Sequence, residues 1–179
     1  LSNRFVALER GGDTVVLAGK NPPGMPDSRL ADWVTRLHGM KVYTCVDTVG
    51  EPMQQAIAAQ PDIIKPNREE LAEIAGRRMV TDDDVLTAAR ELVGRGVGLV
   101  TASLGADGAI FVTRNQAFRG YAPKVSVVSV VGAGDAMMAA LTHYSASGCS
   151  LEETARRSIA VSVASVMCSG SEAPELNMI

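Results

Sequence analysis

Apolar and polar positions alternate along the chain in two rhythms that change places repeatedly. Short β-branched or continuous apolar runs, Thr14 to Gly19, Lys41 to Thr48, Asp62 up to its stop at Pro66, and Gly96 to Gly105, have the length and composition of buried strands. Between them lie stretches with apolar residues three and four apart, the spacing of one helix face. These predict helices after Asp27 or Ser28 as N-cap, over Glu51 to Gln60, over Arg68 to Ala75 with Gly76 at the C-terminal stop, and over Thr81 to Gly96. Ala109 to Thr113 follows the Gly105-Ala106-Asp107-Gly108 turn as the second arm of a hairpin, with a further strand around Ala117 to Pro123. The β-branched run Val125 to Val131 reads as strand, and it gives way at Gly132-Ala133-Gly134-Asp135 to helices near 133–146 and 151–167.

Strand and helix in alternation at this spacing predict right-handed crossovers and a mainly parallel sheet covered on both faces, an α/β fold. Ligands in such sheets bind beyond the carboxyl ends of the strands. There is no internal repeat or low-complexity linker, so residues 1–179 read as one structural unit.

Composition narrows the functions. With 46% hydrophobic and 21% charged residues and a net charge of -3, the chain suits a globular domain and offers no basic surplus for nucleic acid or an anionic membrane. The longest weakly polar run, Ser158 to Ser171, is short of the roughly 20 residues that span a bilayer, and no apolar leader opens the chain, so a cytoplasmic location is expected. Three widely spaced cysteines and two histidines provide neither a disulfide framework nor zinc-ligand spacing. The residue at position 1 is not Met and the terminal elements look cut into, which suggests part of a longer chain.

Three stretches could carry chemistry. Glycines opening the helix at 132–134 let a ligand approach the backbone, and the free N–H groups of a first helical turn suit a phosphate. Asp135 beside such an anion repels it as a binding group but is useful as a base for an attacking hydroxyl. The plainer alternative is that Asp135 caps its helix. Lys65, Asn67 and Glu70 fall where a strand ends and a helix begins; Asn67 and Glu70 could organise water around Mg²⁺, or serve as a capping box. Ser103 to Gly108 is a hairpin turn that could also lie along nucleotide phosphates. A Walker A loop is absent, and Gly94-Arg95-Gly96-Val97-Gly98 precedes a strand where a dinucleotide fingerprint would open a helix.

Together these stretches resemble the PfkB family of carbohydrate kinases, with its ribokinase-like three-layer α/β/α fold. The run Val127 to Leu141, VVSVVGAGDAMMAAL, matches the family's second signature; Asn67-Arg68-Glu69-Glu70 matches its N-x-x-E motif; Ser103 to Gly108 matches its S-L-G-x-x-G loop. Upstream, VVLAG with PPGMP and VDTVGEPMQQAI resemble the phosphofructokinase and tagatose-6-phosphate kinase branch.

The resemblance implies ATP and Mg²⁺, with a monovalent cation such as K⁺ as a candidate addition, and a small sugar phosphate as acceptor. It assigns Asp135 as catalytic base and the N–H groups of Gly132, Ala133 and Gly134 as an anion hole. Lys65, Asn67 and the loop Ser103, Leu104, Gly105, Ala106, Asp107 and Gly108 become nucleotide contacts, with Gly134 beside them and Glu70 tuning Mg²⁺ through water. No residue is implied as a direct metal ligand. Ala160, Val163 and Ala164 would flank adenine.

Departures from the pattern limit this. Lys20 stands where the family has a serine that touches the sugar phosphate, and Val130 where it usually has Thr. No counterpart of the family's N-terminal half or β-lid is found, and the match stops at Asn177-Met178-Ile179, ahead of the family's usual last helix. The expectation is a nucleotide-binding, base-bearing part that binds ATP weakly and turns over little by itself. A nucleoside or other small-molecule kinase of the same fold, or a non-catalytic nucleotide-binding domain, remain alternatives. Apolar surface left uncovered favours self-association, a homodimer being the simplest form.

Overall fold

A computed structural model describes residues 11–170, 172–175 and 178. A six-stranded sheet runs in sequence order, β1 (Thr14–Ala18), β2 (Tyr43–Asp47), β3 (Ile63–Ile64), β4 (Leu99–Ser103), β5 (Ala109–Val112) and β6 (Ala117–Gly120). The first four strands are parallel; β4 turns back through a 3-10 turn at Gly105–Asp107 into antiparallel β5 and β6.

Alternation along the strands sends side chains to two cores. On one face Val46, Ile64, Val100 and Ile110 pack against α1 (Arg29–Gly39), α2 (Glu51–Ala58), α3 (Arg68–Ala75) and α4 (Asp82–Gly94). On the other, Cys45, Ile63, Leu99 and Phe111 pack against α5 (Ala133–Ala146) and α6 (Leu151–Val166). The three-layer arrangement therefore follows from the period of two within each strand.

Local chemistry sets the helix ends. Thr81 and Asp84 form a capping box at the start of α4, as do Asn67 and Glu70 at α3. Ser28 occupies the N-cap of α1 without a side-chain cap bond. Gly76, in left-handed geometry, stops α3.

Two expectations change. The run Val125 to Val131 is not a strand: the chain there is extended loop, with Val128 and Val131 63% and 62% exposed. Its backbone ties are Val128 N–H and Ser129 N–H to the Val166 carbonyl at the end of α6, so no strand partner flattens it into the sheet. Asp135 is not the cap of α5 either. Gly132 is, with φ 82°, and it makes no side-chain cap bond; a residue with a Cβ is disfavoured in that conformation, which frees Asp135 for the third helical position.

Candidate active site

Register builds the centre of the site. Parallel pairing sets Val46 opposite Ile64, and one residue further along, Asp47 and Lys65 come side by side on the face that meets α5. Lys65 Nζ lies 3.2 Å from Asp47 Oδ2, with 7% of the lysine side chain and 18% of the aspartate exposed. Burial pushes the Asp47 carboxyl above the usual range; the Lys65 ammonium works against that rise, and the charge of Asp135 adds to it.

The N-terminus of α5 closes over this pair. A Cβ added at Gly134 would stand 3.3 Å from Lys65 Nζ, tighter than ordinary contact, so the glycine admits the ammonium to the first turn of the helix. Within that turn the Ala133 N–H reaches the Val130 carbonyl over a long 3.4 Å, and Ser162 Oγ donates to the Ala133 carbonyl at 3.1 Å, pinning the turn to α6. The N–H groups of Gly134 and Asp135 precede the first helical bond, which Ala136 makes to Gly132, and stay available to a ligand. The Asp135 side chain is exposed.

A second strand of geometry joins the other two motifs. Ser103 N–H bonds the Pro66 carbonyl at 3.0 Å, and Asn67 and Ser103 form a parallel bridge, so the Asn67 and Ser103 stretches lie edge to edge. Asn67 Oδ1 accepts from Glu70 N–H at 2.8 Å and Glu70 Oε2 from Asn67 N–H at 2.9 Å. The helix-capping role is thus real, and it engages one polar atom of each side chain.

Beyond these elements opens a cavity of about 750 Å³. Of the predicted site residues it is lined by Asn67, Ser103, Leu104, Gly105, Ala106, Gly108, Ala133 and Gly134. Lys65 is not part of this wall and lies behind Gly134, which is. Glu70 faces a smaller hollow of about 220 Å³ shared with Thr48, Gly50 and Glu73. Gly132, Asp107 and Asp135 are not part of the cavity wall. For α6 the expectation changes: Val163 lines the cavity together with Ser162 and Val166, whereas Ala164 is buried in the protein interior and Ala160 is not on the cavity wall. Lys20 is exposed just past β1, where Thr48 Oγ1 holds the preceding Gly19 carbonyl at 2.7 Å.

Sequence reasoning missed Asp47, although its place at the carboxyl end of a parallel strand marked it for attention. It also missed the walls supplied by Val125, Val127 and Val130; once the run was read as strand, those valines belonged to the sheet. Among the described residues no helix is long and apolar enough to cross a membrane.

Comparison with known proteins bears on this geometry. The profile of the pfkB family carbohydrate kinase matches residues 7–177. The 1-phosphofructokinase of Rhodobacter capsulatus is 40% identical over 156 residues, covering 87% of this chain and 49% of that protein. The Escherichia coli K12 1-phosphofructokinase is 36% identical over 154 residues, covering 86% and 49%. The chain spans about half the length of the curated relatives it matches. Among solved structures, phosphofructokinase-2 from Escherichia coli in complex with potassium superposes with a TM-score of 0.93 at 31% identity, over 98% of this chain and 57% of that one. The same enzyme is known in a tetrameric inhibited form. Ribokinase of Arabidopsis thaliana, complexed with ribose and ATP, gives 0.76 at 25% identity, over 88% and 51%. The three-layer α/β/α arrangement is therefore the ribokinase-like one.

Proposed function

The chain belongs to the pfkB family of carbohydrate kinases, and from that premise we propose that residues 1–179 are the nucleotide-binding, base-bearing part of a cytoplasmic ATP-dependent sugar-phosphate kinase of 1-phosphofructokinase type. The observation that carries this reading is the meeting of Lys65 with the glycine-opened first turn of α5 at the edge of the large cavity. It supports a centre that gathers negative charge, with a carboxylate, Asp135, exposed in the same turn.

The residues present fit a magnesium nucleotide. The cavity joins an apolar wall from Val127, Val130, Val163 and Val166 to the backbone of the Ser103 to Gly108 turn, a division that suits a base at one end and phosphates at the other. Bound MgATP would supply the transferable phosphoryl group. Lys65 and the N–H groups of Gly132 and Gly134 would meet negative charge on that group, and Ala133 could join them by giving up its long bond to Val130. Asp135 would take the proton of the acceptor hydroxyl. Of the atoms the capping box leaves over, Glu70 Oε1 would accept a hydrogen bond from metal-bound water and Asn67 Nδ2 would donate to a phosphate oxygen. A monovalent cation and a homodimeric state belong to the same proposal.

The test uses the full-length gene product. Asp135→Asn should retain MgATP affinity while turnover falls by about 10² to 10⁴. Fructose 1-phosphate is the expected acceptor in a panel with fructose 6-phosphate, tagatose 6-phosphate and adenosine. Turnover that survives Asp135→Asn would refute the base, and a preference for adenosine would move the chain to a nucleoside kinase.

A further inference from the structure

Asp82 opens α4, the helix that precedes β4, and its carboxylate joins two arginines. Arg119 Nε donates to Oδ2 at 2.6 Å and Arg68 Nη2 donates to Oδ1 at 3.2 Å. Arg119, on β6, continues across the hairpin. Its Nη1 donates to the Asp107 carbonyl at 2.7 Å and to the carbonyl of Gly120, and its guanidinium lies 4.4 Å from the centre of the Tyr121 ring. Arg68 follows Asn67 in sequence, lines the large cavity, and spends its other nitrogen on the Met79 carbonyl at 3.3 Å.

We propose that Asp82 is a positioning residue for nucleotide binding, acting through Arg119 on the Ser103 to Gly108 turn and through Arg68 on the cavity wall. The inference rests on the kinase reading above.

The physical argument begins with the turn. Within the 3-10 turn the bonds are long, Asp107 N–H to the Leu104 carbonyl at 3.2 Å and Gly108 N–H to the Gly105 carbonyl at 3.1 Å, while Leu104 N–H to the Gly108 carbonyl at 2.8 Å closes its base. A peptide unit is planar, so clamping the Asp107 carbonyl also fixes the direction of the Gly108 N–H on the other side of the same bond. Gly105, Ala106 and Gly108 line the cavity, and the clamp therefore sets the shape of that wall. Arg119 is steadied by the Gly120 carbonyl and the Tyr121 ring, and Asp82 adds the charged anchor, accepting a charge-assisted bond from Nε that directs Nη1 at the carbonyl. That bond holds the Asp82 carboxyl below the usual range, with Arg68 contributing. The same carboxylate holds Arg68, whose Nη1 bonds the Met79 carbonyl, in place along the cavity wall.

An exposed ion pair ordinarily contributes little, and Asp82 is 47% exposed, so a stability measurement would not discriminate. Amide hydrogen exchange and nucleotide affinity do. In the ligand-free 179-residue chain, Asp82→Asn and Arg119→Gln should each accelerate exchange at Asp107 and Gly108, the bonded amides of the turn, by about two- to fivefold, the size of one exposed ion pair. The dissociation constant for MgATP should rise by about the same factor. Asp83→Asn, which removes the neighbouring first-turn charge outside this bridge, controls for the helix dipole and should alter neither. Arg119→Lys should recover only part of both, since one ammonium cannot serve the carboxylate and the carbonyl together.

Unchanged exchange in folded Asp82→Asn overturns the proposal. So does faster exchange with undiminished affinity in a chain that binds MgATP. Affinity is therefore read in the full-length gene product, where failure of the unaltered protein to bind MgATP refutes the kinase reading and the nucleotide role of Asp82 together, while the exchange result still decides whether the bridge orders the turn.

Discussion

A lysine with 7% of its side chain exposed is tolerable while a carboxylate answers it, and Asp47 does so at 3.2 Å. The two partners are not equivalent when one is removed. Asp47→Ala leaves the ammonium buried without its carboxylate and should cost about 3 kcal/mol, near the lower end for breaking a buried pair. Lys65→Met leaves a carboxyl already pushed upward by burial, which can bind a proton instead. Its loss should be smaller and should shrink on acidification: a group whose folded pKa is raised contributes stability below its unfolded value and loses it as pH rises through the folded one. Urea midpoints of both variants at pH 5 and pH 8 check this, and equal losses at both pH values would contradict it. Joining Asp47→Leu to Lys65→Met should restore most of the stability while leaving MgATP affinity impaired, which separates what the pair does for the fold from what the lysine does for the ligand.

Helix termini are the elements on which this site is built, and each must satisfy its own backbone before it can serve a ligand. At α3 the capping box uses Asn67 Oδ1 and Glu70 Oε2. Asn67→Ala should therefore cost about 1 kcal/mol in addition to any effect on nucleotide. Glu70→Gln keeps an acceptor for the Asn67 N–H and removes the charge, so it should leave the melting temperature nearly unchanged and raise the Mg²⁺ concentration needed for half-maximal nucleotide binding. Titrating Mg²⁺ against both variants distinguishes cap from metal role, and a Glu70→Gln chain with unaltered Mg²⁺ dependence would leave Glu70 as a cap alone. Elements of this kind were legible in the sequence because spacing encodes them: Thr81 with Asp84, Asn67 with Glu70, and Gly76 past the last apolar turn. The run Val125 to Val131 misled, since β-branched composition signals a strand while a strand also needs a hydrogen-bonded neighbour that composition cannot supply. Asp135 misled in a smaller way. A capping residue and a base look alike in sequence, and the left-handed turn at Gly132 assigns the cap elsewhere.

Across the whole molecule, a mainly parallel sheet covered on both faces followed from alternating strands and helices, but the order and register of its strands did not. Asp47 became visible as part of the site only when the register brought β2 and β3 together. That same strand carries the groups that govern behaviour in alkali. Tyr43 and Cys45 lie on the face of β2 turned to α5, and burial pushes both upward, the thiol to about 11 and the phenol further. For Cys45 burial outweighs a hydrogen bond with Thr142; for Tyr43 burial is joined by the charges of Cys45 and Asp62 and opposed by a hydrogen bond with Ser145. Both folded values lie above the unfolded ones, so the contribution of Cys45 is complete below the ordinary thiol value near 9.0 and disappears as pH climbs through about 11, while that of Tyr43 is complete below the ordinary phenol value near 10.0 and is lost at higher pH still. On the acid side, opposing signs compete. Asp82 and Asp84 are lowered, giving stability above the ordinary carboxylate value that is lost as pH falls, whereas raised Asp47 acts in reverse. The molecule should therefore be less tolerant of alkali than of mild acid, and the damage should begin between β2 and α5, the two elements that carry Asp47 and Asp135. Urea midpoints at pH 8, 9.5 and 11 should fall steeply for the unaltered chain. Cys45→Val should flatten that fall by up to about 3 kcal/mol, the ceiling set by a shift of this size. Tyr43→Phe should flatten it further. Parallel declines in all three chains would show that alkaline sensitivity arises away from this interface.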